Sequence, residues 1–201
     1  RIIANGCAHY GYTNDVTEKG ILDLAEALAR DARGRNRETS LQMEKKDAGT
    51  RHPVRRSPEA AELEEKVRIV NRADARAWSK SDSLAQVRVT YGDMLREIVV
   101  VNSLGRFSED LQPRVVLSVQ AVARKGDMAQ TGYEAVGGLL GLEMFEEKKP
   151  EDVADRAVQR ALLALGAAPA PKGKMPVVIA SEAGGTMIHE AVGHGLEADL
   201  A

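Results

Sequence analysis

An α+β fold is predicted, from three features of the 201-residue sequence. Apolar residues recur at helical spacing in separated stretches near the start, before the middle and after it. Between them lie β-branched and alternating runs split by short turn chemistry. The resulting order is helices, meander, helix and strand. The expected architecture is an antiparallel β meander packed with two to three helices, followed by a strand and a C-terminal helix bearing His189, Glu190 and His194.

Arg1 to Asn14 is short, β-leaning and punctuated by glycine. Thr17 is the expected N-cap of a first helix through about Arg33, with Ile21, Leu22, Leu24, Ala25 and Leu28 as its stripe and Gly34 as its stop. Residues 35–57 are polar and carry Lys45, Lys46, Arg51, Arg55 and Arg56. No aromatics are interleaved for base stacking, so this run, His52 included, reads as a solvated loop. A second helix is expected from Ser57 (N-cap) and Pro58 (first turn) to about Trp78, with Leu63, Val67, Val70 and Ala77 inward.

Strands are predicted over 84–91, 95–102 and 114–124, with Gly92-Asp93 and Ser103-Leu104-Gly105 as turns. Strands joined by such short turns pair antiparallel. Residues 132–141 read as too glycine-rich for regular structure, and a third helix runs from Pro150 to Leu165. Ala167 to Gly173 is Pro/Ala-rich, a linker. Met175–Ala180 reads as a short apolar strand, Ser181–Gly185 as a tight loop, and the last helix starts near Thr186. The predicted organisation is residues 1–166 as an N-terminal α+β domain truncated at its start, a linker at 167–173, and residues 174–201 as the beginning of a catalytic domain.

Composition narrows the function. Hydrophobic residues make up 43% and charged residues 29%, an ordinary balance for a water-exposed globular chain. A net charge of -2 gives no general attraction to nucleic acid or anionic membrane. Cys7 is the sole cysteine, so no internal disulfide can form, which fits a cytoplasmic setting. It reads as a small buried thiol. No apolar run approaches the ~20 residues that cross a bilayer.

His189-Glu190-Ala191-Val192-Gly193-His194 carries the chemistry. Two imidazoles can hold a metal, and the adjacent carboxylate can take a proton from water. The spacing is HExxxH, one residue longer than the familiar HExxH. In a regular α-helix, residues four apart differ by about 40° in direction and residues five apart by about 140°. The second imidazole therefore reaches the ion only through an irregularity, and a π-bulge would supply it. Gly193 and Gly195 make the backbone deformable there. Burial of Met187, Ile188, Ala191 and Val192 is expected, which would leave the polar side chains needing partners. Zinc usually takes three protein ligands. Glu197, Asp199 and Cys7 are candidates within the chain, with Glu197 alternatively a hydrogen-bonding partner of a ligand or simply solvated. The competing reading is an amphipathic helix with two surface histidines.

Residues 182–199, Glu-Ala-Gly-Gly-Thr-Met-Ile-His-Glu-Ala-Val-Gly-His-Gly-Leu-Glu-Ala-Asp, resemble the active-site signature of the TldD/PmbA metalloprotease family. The likeness is to the TldD-type, HExxxH-bearing subunit. Tyr10-Gly11-Tyr12-Thr13 and residues 101–106 add looser support. The resemblance implies a cytoplasmic, zinc-dependent peptidase subunit that cleaves small or unfolded peptides. It implies His189 and His194 as zinc ligands and Glu190 as the catalytic acid/base. It also implies a TldE/PmbA-type partner subunit or a homodimer; the charge balance and the lack of a spanning apolar run speak against a nucleic-acid or membrane partner. The third zinc ligand is expected outside this chain, as a cysteine of a C-terminal domain. The polypeptide as it stands is therefore expected to bind zinc weakly or not at all and to be inactive. The alternative is a non-catalytic interaction module of the DNA gyrase modulator type.

Overall fold

A computed structural model describes residues 1–32, 42–45 and 53–197. Asn5 and Gly6 both adopt positive φ, 53° and 77°. That is the backbone a two-residue hairpin turn requires. It joins β1 (Ile2–Ala4) to β2 (Cys7–His9) in antiparallel register, Ile2 opposite His9 and Ala4 opposite Cys7. Cys7 is exposed on this hairpin, contrary to the buried thiol expected. A three-residue strand has too little sheet around it to cover both faces.

Helix α1 (Glu18–Asp31) starts where the sequence predicts, with the Thr17 hydroxyl accepting from the Gly20 N–H at 3.2 Å. Asp15 in turn accepts from the Thr17 N–H and hydroxyl, bonds that hold its carboxyl below the usual carboxylate range. At the other end of α1, Asp31 lies 2.6 Å from Nδ1 of His9 and ties helix to hairpin. The predicted stop Gly34, with Lys46, Arg51 and His52, lies outside the described residues.

By internal packing the chain forms two units, Arg1–Ala61 with Gly92–Val115 and Gly137–Met144, and Glu62–Tyr91 with Val116–Val136 and Phe145–Ala201. The meander strands are longer than predicted and each contributes to both units: β4 (Leu84–Val101), β5 (Arg106–Lys125) and β6 (Met128–Gly138). Short β3 (Glu44–Lys45) pairs parallel with the start of β5, Glu44 opposite Arg106. β5 is central, paired with β4, β3 and β6.

Two glycine readings need correction. Gly92-Asp93 is no turn, because both residues belong to β4; glycine inside a strand is tolerated and need not reverse the chain. Gly132 lies within β6 instead of irregular backbone. A Cβ there would sit 2.0 Å from the Ala157 carbonyl oxygen and 2.4 Å from the Ala161 nitrogen. The glycine is a packing requirement. By contrast the predicted turn at 103–105 forms, with Gly105 at φ 77° and the Asn102 carboxamide accepting from the Leu104 and Arg106 N–H groups.

The first unit is pinned by Glu143, a buried carboxylate that accepts from the N–H groups of Arg55, Arg56 and Gly141 at 3.2, 3.0 and 3.2 Å. Burial alone would push this carboxyl up, but those donors and its own N–H together hold it below the usual range. The same tie explains why the second helix starts later than predicted. The Arg56 carbonyl accepts from the Leu142 N–H at 2.9 Å and Pro58 is fully buried, so 55–61 is held as a loop. Helix α2 (Leu63–Trp78) then begins after Glu62.

In the second unit β5 alternates as a half-buried strand should, with Leu117, Val119, Ala121 and Ala123 inaccessible. After the short α3 (Met144–Glu147), α4 (Pro150–Leu165) lies on β6, its Arg160 donating to the Tyr133 carbonyl at 2.7 Å. Ala154, Ala157 and Ala161 of α4 and Ala73 and Ala77 of α2 are fully buried, and the two helices pack together. Arg72 clamps Glu151 at 2.7 and 2.8 Å, and Arg76 clamps Asp155 at 2.8 and 2.9 Å. These bonds to the arginines hold both carboxyls below their usual range.

Candidate metal centre

Met175–Ala180, predicted as a strand, carries no sheet ladder among the described residues, with Val177 and Val178 71% and 102% exposed. A strand without a partner has nowhere to place its backbone donors and acceptors. Directly after it, α5 (Ser181–Ile188) begins five residues before the predicted start. Gly184 lies in that first turn, its N–H bonding the Ala180 carbonyl at 2.7 Å. A Cβ on Gly184 would meet Ile179 at 2.3 Å, so glycine lets the helix fold back on the preceding segment.

The distortion predicted from the histidine spacing is present. α5 passes into a π-helical turn, His189–Gly193, closed by the His194 N–H bonding the His189 carbonyl five residues back. A 3-10 turn, His194–Leu196, ends the helix. The wider turn brings the two imidazoles to one side, with ring centroids 4.6 Å apart and planes at 63°. One ligand atom from each of His189, Glu190 and His194 lies within 4.8 Å of the others. His194 Nε2 is 3.4 Å from a Glu190 carboxylate oxygen. Two imidazoles and a carboxylate converging this closely are a donor set that fits a zinc-like ion.

Gly193 has a role beyond deformability. A Cβ on it would stand 3.0 Å from His189 Nδ1, tighter than ordinary contact, so glycine leaves the ring its space. Glu197 joins the cluster through His194, with Oε1 2.8 Å from Nδ1. Its i+3 spacing placed it on the face of His194, but the spacing alone did not decide among a ligand, a partner of a ligand and a solvated side chain. Cys7 is not in the cluster, and Asp199 lies outside the described residues. The expected burial is corrected: Met187, Ile188 and Val192 are 57%, 56% and 55% exposed, because the described residues do not cover this helix.

Residues 56–165 match the PmbA/TldA metallopeptidase central domain, more than half of the chain, and the chain belongs to that family of metallopeptidases. A metalloprotease of Methanothermobacter thermautotrophicus is 35% identical over 145 residues, covering 72% of this chain and 32% of that protein. The metalloprotease TldD homolog of Haemophilus influenzae is 32% identical over 147 residues, covering 71% of this chain and 30% of its own length. The chain thus spans about a third of the relatives it matches. A structure from Thermotoga maritima, described as a candidate modulator of a DNA gyrase, superposes with TM-score 0.58 at 22% identity, covering 76% of this chain and 34% of that one. At that identity the likeness establishes the α+β fold. The relatives' description as metalloproteases implies a metal, and among the described residues the cluster His189, Glu190 and His194 could hold one.

Proposed function

We propose that this chain carries two zinc ligands and the acid/base of a peptidase that cleaves small or unfolded peptides. The observation behind the proposal is the convergence of His189, Glu190 and His194 on the π turn in a member of a metallopeptidase family. His189 and His194 would hold the ion. Zinc, when bound, polarises the scissile carbonyl and lowers the pKa of a nearby water. Glu190, beside the first ligand and 3.4 Å from the second, accepts a proton from the attacking water. As the water oxygen bonds to the carbonyl carbon and the C–N bond breaks, Glu190 returns that proton to the leaving amine. Extended peptides suit such a site because their carbonyls are not engaged in secondary structure.

A third protein ligand completes the usual zinc set and is assigned to the part of the protein outside this chain. The isolated chain is accordingly expected to hold zinc weakly. The linker at 167–173 is proposed as the boundary between the central domain and the catalytic segment, in keeping with a family match that ends at residue 165. A TldE/PmbA-type subunit or a second copy as partner, and a cytoplasmic location, complete the reading.

Replacing Glu190 by Gln in the full-length protein tests it. Peptide cleavage is expected to fall by about 10²- to 10⁴-fold with zinc still bound. Cleavage at the unmodified rate would rule out the acid/base assignment.

A further inference from the structure

The cluster holds a second carboxylate that the proposed reaction does not use. Glu197 follows His194 by three residues and lies past the 3-10 turn, where the backbone leaves helical conformation at ψ 141°. The same turn closes with the Glu197 N–H on the His194 carbonyl at 3.3 Å, so backbone and side chain both return to His194. Oε1 of Glu197 is 2.8 Å from Nδ1, while Nε2 of the same ring is on the side of Glu190, at 3.4 Å. One ring nitrogen is therefore committed to Glu197 and the other faces the ligand cluster.

A neutral imidazole has one N–H and one lone pair, and the partner of the first nitrogen decides which nitrogen keeps the lone pair. Both carboxylates are acceptors only, and the shorter contact, Glu197 at 2.8 Å against Glu190 at 3.4 Å, selects the tautomer with hydrogen on Nδ1 and the lone pair on Nε2. That is the form able to bind a metal on the Glu190 side. Resting on the zinc reading above, we propose that Glu197 is the positioning residue of the site: it fixes the ring orientation and tautomer of His194 and is not itself a ligand. Its place also explains the abrupt end of the helix. Glu197 reaches Nδ1 because the wide π turn is followed at once by a tight 3-10 turn.

The test uses the full-length protein with Glu197→Ala, Glu197→Gln and His194→Ala, measuring zinc affinity by competition with a chromophoric chelator. Nitrogen-15 spectra of the zinc-free imidazoles report the tautomer. Glu197→Ala is expected to weaken zinc binding by about 10- to 100-fold and to move His194 away from the Nδ1–H form. Glu197→Gln keeps an acceptor oxygen and is expected to restore the tautomer and most of the affinity. Zinc affinity within twofold of the unmodified protein and an unchanged spectrum in Glu197→Ala would overturn the proposal while leaving the zinc reading intact. A loss in Glu197→Ala as complete as in His194→Ala would also overturn it, by making Glu197 a ligand. Unchanged affinity in His194→Ala would remove the zinc reading and the positioning role with it.

Discussion

Within the second unit, the sheet-and-helix body and the segment after the linker are built on opposite terms. In the body, Leu117, Val119, Ala73 and Ala157 have no accessible surface, and two arginine–carboxylate clamps bridge α2 and α4. In the segment after residue 173, Met187, Ile188, Val192 and Leu196 are each more than half exposed, and the polar side chains bond to one another. The body places its specificity in close packing, whereas the motif segment places it in backbone pitch and a few polar contacts. Substitutions should therefore separate: those in the body change stability, and those in the motif change chemistry.

The sharpest separation is expected from Glu190→Gln. The expected loss of cleavage should leave the melting transition within about 0.5 kcal/mol of the unmodified protein, as for other exposed positions. A large fall in stability would break the contrast. Next is Gly132→Ala, the reverse case, where a methyl group is forced against the backbone of α4. A loss of about 3 kcal/mol in denaturant unfolding is expected, near the upper end for overpacking. Glu143→Ala should cost about 2 kcal/mol by stranding the N–H donors of residues 55, 56 and 141.

The smallest effect belongs to the clamps. A double-mutant cycle on Arg72 and Glu151, whose side chains are 49% and 32% exposed, should give a coupling of about 0.5–1 kcal/mol. Glu151 and Asp155 have depressed folded values, so their contribution is present above the unfolded carboxylate pKa and is lost as pH falls through the folded one. Unfolding measured downward from about pH 5 should show progressive loss. Replacing both carboxylates by their amides should reduce that slope, the share of Glu143 remaining, and an unchanged slope would place the acid sensitivity elsewhere.

Legibility in the sequence follows the range of the forces involved. The Thr17 cap, the turn at 103–105 and the π turn were readable because each is decided by residues within about one or two turns of chain. Glycine was ambiguous, because the same residue permits a turn at Gly105 and close packing at Gly132, and only the distant Ala157 distinguishes them. The start of α2 was misplaced for a similar reason: Ser57-Pro58 is good helix-starting chemistry, but Glu143, more than eighty residues away, claims the backbone beside it. At the site, residue types and spacing pointed to His189, Glu190 and His194, which the structure brings together. The spacing could not say whether Glu197 would meet a metal or a histidine, because that depends on how the helix ends.

The π turn also changes how the motif should be counted. A turn closed five residues back, where an α-helix closes four back, absorbs one residue, so everything after it keeps the angular phase of a helix one residue shorter. His189 and His194 thereby come to one side of the helix, ring centroids 4.6 Å apart, although one more residue is written between them than in HExxH. The added residue is taken up within the turn, so five-residue spacing still sets the two imidazoles side by side. Sites of this kind are then better compared by helical phase than by residue number.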